Sequence, residues 1–331
     1  MRLQARNLCL LAAVALLVSA CLRAQSPTGE IAGVVRDATG ALVPDAEVMA
    51  ANQNTGEAKT TRSGGQGQYT LAQLPVGVYR ITVHKTGFRS VQQKDVELSA
   101  LQNMRADFRL EVGEVAESVT VTAETPEVDT RSVMYGMLVD DRRVRDLPLN
   151  GRNPVDLVRL IPGVNNVGAS IRPSYGPSSI QVNGGRYWGV NFLLDGGSVG
   201  SFHRGHGLEL PPPDALQEFR VVTVGTPAEY GRGAGTLSAV TRAGTNQFHG
   251  SAWEFLRNDA MDARSFFSAR VPKLRFNQFG ATAGGPVQRN KHFFFLSYQG
   301  LRIREDQLSS ASTPPTPAER SGDFSGSKNR I

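Results

Sequence analysis

The spacing of apolar residues divides this chain into three stretches of different character. In the first, Val78 to Lys85 alternates strictly, with Tyr79, Ile81 and Val83 on one face and Arg80, Thr82 and His84 on the other. That is the period of a half-buried antiparallel strand. Ile31 to Arg36, Ala46 to Ala51 and Gly67 to Leu71 are further short β runs. Turn residues separate them: Asp37-Ala38-Thr39-Gly40, Asn54-Thr55-Gly56 and Leu74-Pro75-Val76-Gly77. Strands at about 10-residue spacing with turns between them predict a β-sandwich.

The second stretch mixes periods. Asp146 to Gly163 reads DLPLNGRNPVDLVRLIPG. Asn150-Gly151 predicts a tight turn, because both residues tolerate φ > 0. Asn153 then caps a helix with Pro154 at its first position, where the missing N–H costs nothing. Asp156 lies in the first turn, where the helix dipole favours negative charge. Val155, Val158 and Ile161 form an apolar stripe that Leu157 and Leu160 widen, so the helix should be mostly buried. Pro162-Gly163 ends it. Around this segment, Tyr135 to Asp140 reads as a strand and Gln181 to Arg186 as a turn. Asn191 to Leu194 is an apolar run closed by Asp195-Gly196-Gly197. Pro213 to Phe219 predicts a short capped helix feeding a buried strand, Arg220 to Val224. Tyr230 to Gly235 is glycine-rich and precedes a β run, Thr236 to Thr241. Short strands, short helices and glycine loops in this order predict a small α/β unit.

The third stretch alternates again in longer runs: Phe248 to Arg257, Phe276 to Gly285 and Lys291 to Gly300. Trp253 and Phe255 share a face of the first, and Phe294, Leu296 and Tyr298 share a face of the third. Runs of ~10 residues with aromatics near their ends mark transmembrane β-strands, although a soluble antiparallel sheet has the same period. Asn258 to Lys273 makes a long connection, and Gly284-Gly285-Pro286 starts a shorter one.

Composition narrows the picture. The 331 residues leave room for two or three domains, and 35 Gly with 18 Pro suit turn-rich β structure. The net charge of +6 comes from acids and bases mixed along the chain with no Lys/Arg block, so no nucleic-acid partner is expected. Both cysteines, Cys9 and Cys21, lie in a segment that reads as a signal peptide over residues 1–24: Arg2 and Arg6, an apolar run from Leu8 to Val18, then small residues. Cleavage after Ala24 would leave a mature chain with no cysteine, hence no disulfide and no cysteine-ligated metal. Val18-Ser19-Ala20-Cys21 also matches a lipoprotein box, so two processing routes stay open. No later run of ~18 apolar residues could serve as a helical anchor, which says nothing of barrel strands.

The words GVVRDATGALVPDAEV and GQYTLAQLPVGVYRITVHKTGF resemble the carboxypeptidase regulatory-like domain. The resemblance implies a seven-stranded, transthyretin-like sandwich of the carbohydrate-binding-like group over residues 28–111, a spacer or docking module without peptidase activity. Members usually carry an acid or Asn before the glycine preceding Tyr69, whereas the loop here is Arg62-Ser63-Gly64-Gly65-Gln66-Gly67. LPLNGRN, NFLLDG, ALQEFRVVT, AEYGRGAG and VTRAGTNQFHG resemble the plug of Oar-like TonB-dependent outer-membrane receptors. WEFLRNDAMDARSFF, FNQFGATAGGPV, HFFFLSYQGLR and PAERSGDFS resemble the first strands of that family's barrel. These imply a plug over residues 125–244 and barrel strands over 245–331. The implied fold is mainly β: a sandwich, a small α/β plug and the first strands of an incomplete transmembrane β-barrel.

Residues 114–124, EVAESVTVTAE, form a β-prone hinge between sandwich and plug. An exposed segment of this kind can add as an edge strand to a partner's sheet. It resembles the TonB box, which implies that Glu117, Ser118, Val119, Thr120, Val121, Thr122 and Ala123 are gripped by a TonB-type energy-coupling protein of the inner membrane. A strand that ends the sandwich or begins the plug fits the same pattern.

The resemblance implies energised uptake of a bulky extracellular ligand (siderophore, glycan or peptide) at the outer membrane, with no cofactor and no bond-breaking step. An exported carbohydrate- or ligand-binding sandwich without transport is the alternative. His206-Gly207-Leu208-Glu209 has the His-x-x-Glu spacing of zinc peptidases and His203 is close by. A catalytic zinc site needs three protein ligands, and no third is evident. Tyr230 to Gly235 lacks the Gly-Lys-Ser/Thr of a phosphate loop and precedes a β run rather than a helix. Plugged barrels use ~22 strands, or ~220 residues at ~10 each, whereas 87 residues follow Gly244. The chain is therefore expected to be the N-terminal piece of a longer receptor, and the apolar face of Pro154 to Ile161 must find its partner within the plug itself.

Overall fold

A computed structural model describes residues 28–113, 118–121, 134–147, 149–166, 180–186, 189–200, 210–226, 230, 233–264, 266, 270–305 and 315–325. The leader with Cys9 and Cys21, and the segment with His203, His206 and Glu209, lie outside the described residues. The chain packs as two units, Met1–Ser251 with Thr282–Ser297, and Ala252–Ala281 with Tyr298–Ile331.

The first unit opens with the sandwich. Its strands are β1 (Thr28–Asp37), β2 (Glu47–Asn52), β3 (Ala58–Arg62), β4 (Gln68–Pro75), β5 (Gly77–His84), β6 (Ser90–Leu98), β7 (Asn103–Arg105) and β8 (Phe108–Leu110). One sheet has the order β4-β1-β7, with β8 also on β1; the other begins β3-β2-β5-β6. The alternation in β5 is realised: Tyr79, Ile81 and Val83 are buried in the core with Ile31, Leu71, Val96 and Phe108. Each such side chain contributes about 1.5–3 kcal/mol by leaving water. The buried tyrosines keep their hydroxyls satisfied. Tyr69 donates to the Ala106 carbonyl at 2.6 Å and Tyr79 to that of Pro75 at 2.7 Å. Burial pushes the Tyr79 hydroxyl pKa up to about 12.

Residues 28–111 carry eight strands where seven were expected, because the last is interrupted at Ala106-Asp107 into β7 and β8. Both run parallel to β1. At the break the Asp107 carboxylate, rather than a backbone carbonyl, accepts from Val34 N at 2.9 Å. In the loop that lacks the family's acid, the buried Ser63 hydroxyl accepts from Ala46 N and donates to Val43 O, each at 2.8 Å.

The plug is a five-stranded sheet of order β10-β15-β16-β13-β14, from β10 (Tyr135–Val139), β13 (Val190–Leu194), β14 (Gly197–Ser198), β15 (Leu216–Val224) and β16 (Gly235–Thr241); β11 (Val164–Asn166) and β12 (Ile180–Val182) pair separately. A single α-helix among its described residues, α1 (Asp141–Asp146), is capped by the Asp140 carboxylate, which accepts from Arg143 N at 2.8 Å. The motif segment follows. Positive φ falls on Gly151 (76°) and Arg152 (55°), one residue later than the Asn150-Gly151 turn predicted. Pro154–Leu160 is helical and capped by Asn153 as expected, but it is a 3-10 helix. Short helices closed by i→i+3 bonds take this form. Val155, Leu157, Val158 and Ile161 pack with Phe192, Phe219 and Leu237 in one cluster, so the apolar face does find its partner within the plug. Leu160, expected to widen that face, is 50% exposed. Only Pro213–Ala215 is helical where Pro213 to Phe219 was expected to be; β15 begins at Leu216.

Arg152 explains the wording of the motif. Its guanidinium forms an ion pair with Asp214, and the two side chains are 11% and 13% exposed. The turn at Gly151-Arg152 is thereby tied to the 3-10 turn that launches β15.

Sandwich and plug meet along β15. Phe219 and Val221 point into the plug core, while Glu218, Arg220 and Val222 lie on the opposite face. On that face sits the turn after β6, Ser99 to Gln102. Glu218, 7% exposed, accepts from Ala100 N at 2.7 Å. Arg220 donates to the Leu101 carbonyl at 3.4 Å. Ala100 and Leu101 pack with Val222 and Val240.

The last strands are β17 (His249–Asn258), β18 (Leu274–Gln288) and β19 (His292–Glu305), in the order β17-β18-β19. β18 and β19 exceed the ~10 residues expected, and Gly284-Gly285-Pro286 lies inside β18 rather than starting a connection. The reversal comes at Asn290 (φ 60°), where Asn246 and Asn290 exchange two 2.8 Å hydrogen bonds. Aromatic rings cover the glycines of these strands. Trp253 lies over Gly280 and Phe279 over Gly300 in the second unit; Phe248 lies over Gly285 in the first. A short helix, α2 (Pro317–Arg320), carries a full capping box from Thr316 and Glu319.

Two outcomes follow. Asp214→Ala removes the carboxylate facing a nearly buried guanidinium and should cost about 3 kcal/mol, read as faster hydrogen exchange at Val155 and Val158, whereas Asp214→Glu should restore most protection. Burial raises the pKa of Glu218 above its ordinary 4.5, against the opposing effects of Ala100 N–H and Arg220. The native state then holds the proton more tightly than the unfolded chain. The seam's stability is therefore complete below the unfolded value and falls as pH rises through the folded one. Urea titrations across that window should show the slope, and Glu218→Gln should flatten it.

Candidate functional site

The junction between sandwich and plug concentrates the features with functional content. At the edge of the sandwich sheet, against the start of β6, is β9 (Ser118–Val121), the last strand of the order β3-β2-β5-β6-β9. It runs parallel to β6, with Ser90 opposite Ser118, Val91 opposite Val119, Gln92 opposite Thr120 and Gln93 opposite Val121. The chain reaches this edge by a local route. Beyond β8, Val112 bridges to Phe88, and the Glu111 carbonyl accepts from Arg89 N at 2.8 Å. The Ser118–Val121 part of the predicted hinge is thus an edge strand of the sandwich sheet. Glu117, Thr122 and Ala123 lie outside the described residues.

Inward from β9, β6 runs to Leu98 and turns through Ser99 to Gln102 onto the plug. The turn is closed by Ser99 N donating to the Gln102 side chain at 2.9 Å and Glu30 N donating to the Gln102 carbonyl at 2.8 Å. Leu101 takes φ 57°, a left-handed value that costs a non-glycine residue about 1 kcal/mol or more. What offsets this is its seat: Leu101 is 6% exposed against the plug.

A cleft of about 550 Å³ opens beside the seat, lined among others by Glu97, Ser99, Asp140, Glu218, Arg242 and His249. Arg242 pairs with Asp141 and donates from Nε to the Leu216 carbonyl at 3.1 Å. Asp195, at the turn after β13, accepts from both the backbone N and hydroxyl of Thr241 at 2.8 Å, which fixes the end of β16. Among the described residues no group of three or more His, Cys, Asp or Glu is placed to hold a metal ion.

Sequence reading located the hinge strand but not the seat. Ala100, Leu101, Glu218 and Arg220 carry no motif, and Glu218 fell within the helix expected over Pro213 to Phe219. The available signal was the near-continuous burial of β15, which requires cover on both faces of the sheet.

Three family models match the chain in succession. Residues 30–111 match a Carboxypeptidase regulatory-like domain, 135–236 a TonB-dependent Receptor Plug Domain, and 240–331 an Outer membrane beta barrel domain. Over 304 residues the chain is 27% identical to the TonB-dependent transporter Oar of Myxococcus xanthus, a match that covers 86% of this chain and 28% of that protein. The chain thus spans less than a third of the length of this curated relative. Among solved structures, the siderophore receptor PirA from Acinetobacter baumannii is 23% identical and covers 51% of this chain and 24% of its own, with a TM-score of 0.40. A variant of the ferric enterobactin receptor PfeA from Pseudomonas aeruginosa is 19% identical over 52% of this chain and 24% of its own, with a TM-score of 0.37. In its domains, their order and its sequence, this chain is similar to the Oar-like TonB-dependent receptors of the outer membrane.

Proposed function

We propose that this chain serves energised uptake of a bulky extracellular ligand, with Glu117 to Ala123 as the segment gripped by a TonB-type coupling protein of the inner membrane. The observation that carries this reading is the position of β9. It lies last in its sheet, between the sandwich and the plug, upstream of the strands that begin the barrel. A strand with an open edge can pair with a partner's sheet through backbone hydrogen bonds.

In this scheme the plug blocks the pore and the coupling protein supplies the work that displaces it. The partner's grip is made through the backbone, so it tolerates many side chains and depends on N–H and C=O groups in register. Ligand choice belongs to other parts of the receptor, chiefly the outer loops of a barrel of which three strands are present here. Siderophore, glycan and peptide ligands are all compatible with that division of labour.

A peptide spanning Glu117 to Glu124 should bind the C-terminal domain of the cognate coupling protein in a calorimetric titration. Val121→Pro should abolish binding, because proline removes a ladder N–H. Absence of measurable binding by the unmodified peptide would overturn the assignment.

A further inference from the structure

We propose that the sandwich is a lever seated on the plug: a pull on β9 is carried across β6 into the turn Ser99 to Gln102 and enters the plug at its central strands, β15 and β16. This rests on the reading of β9 as the gripped strand. The covalent route from β9 leads elsewhere. It passes through residues 122–133 to β10, which is an edge strand of the plug sheet and, among the described residues, pairs with β15 alone.

Four features define the lateral route. β9 is held to β6 by four register pairs, Ser90–Ser118 through Gln93–Val121. β6 is in turn a long strand laddered to β5 from Val83–Val91 to Ile81–Gln93 and again from Tyr79–Val96 to Gly77–Leu98, on either side of a bulge at Lys94-Asp95, so load on its start reaches its end. The turn that follows is fixed to the sandwich by Leu101 N donating to Thr28 O and Glu30 N donating to Gln102 O. It is fixed to the plug by Ala100 N on the Glu218 carboxylate, by Arg220 on the Leu101 carbonyl, and by the buried cluster of Ala100, Leu101, Val222 and Val240. Glu218, Arg220 and Val222 project from one face of β15, and Val240 lies on β16 beside them, so the seat spans two neighbouring central strands.

A second contact joins the sandwich to the barrel's first turn: Asn246 N donates to Asn54 O at 2.9 Å, and Gly56 abuts Asn290. It is made by exposed and half-buried polar groups and, among the described residues, lacks a buried cluster. The lever therefore pivots on the plug, with the barrel turn as a lighter guide.

The test uses the full chain with a protease site inserted after Thr130 and single-molecule handles at Thr120→Cys and Ser325→Cys, in the protein whose Cys9 and Cys21 have been replaced by Ser. After cleavage of the linker, the two pieces should stay together on gel filtration and should bear load when pulled. Leu101→Asp should lose both properties, and Asn246→Ala should keep them. Separation of the cut, otherwise unsubstituted chain without load would overturn the lever. So would retention of load in Leu101→Asp with its loss in Asn246→Ala, which would place the support at the barrel turn. Hydrogen exchange on the uncut, unsubstituted chain provides a measurement that needs no variant: the Ala100 amide should exchange at least 100-fold more slowly than an exposed turn amide, and exchange at the exposed rate would also overturn the lever. The box reading fails separately, through the peptide titration, and its failure leaves the load measurement intact.

Discussion

A sheet edge leaves a row of backbone N–H and C=O groups that something must satisfy, and that constraint organises this chain. β6 would present such a row on the side away from β5. The two residues before it, Phe88 and Arg89, are covered by Val112 and Glu111, and its first four by β9. Ser118–Val121, part of the segment that links sandwich to plug, is thereby drawn into regular structure. A strand has two edges. The one that β9 gives to β6 anchors it to this chain, and the other pairs with no strand among the described residues.

The same economy acts at the centre of the molecule. β15 serves two cores at once, sending Phe219 and Val221 into the plug and Glu218, Arg220 and Val222 toward the sandwich. Burying a carboxylate there is costly unless hydrogen bonds compensate it. The compensation comes from a turn whose own strain is sustained by being buried. Glu218 is thus held by the Ala100 amide, while Leu101 keeps its left-handed backbone through burial against Val222 and Val240.

Much of this was legible in the residues. The alternation of β5, the cap at Asn153, the stop at Gly163 and the turn at Asp195-Gly196 follow from local rules, because the forces that decide them act within a few residues. The misplacements share a cause. Leu216 to Phe219 has a helical spacing, yet neighbours β10 and β16 recruit it into the sheet. Gly284-Gly285-Pro286 looks like a turn, yet β18 runs through it because paired strands on a sheet outweigh local preference. The left-handed pair fell at Gly151-Arg152 rather than Asn150-Gly151 because the Arg152 guanidinium had to reach Asp214, 62 positions away. Leu160, at the end of the 3-10 helix, lies beyond the reach of the core. None of these partners can be inferred from spacing alone.

The rings laid over glycines in the last strands carry an evolutionary consequence. Where Trp253 covers Gly280 and Phe279 covers Gly300, a side chain at the glycine would collide with the ring, and loss of the ring would bare the backbone beneath it. Neither member of such a couple can drift independently. Descendants of this sequence should therefore exchange them in concert or keep both, so that the spacing of glycines and aromatics records strand register long after the surrounding residues have diverged.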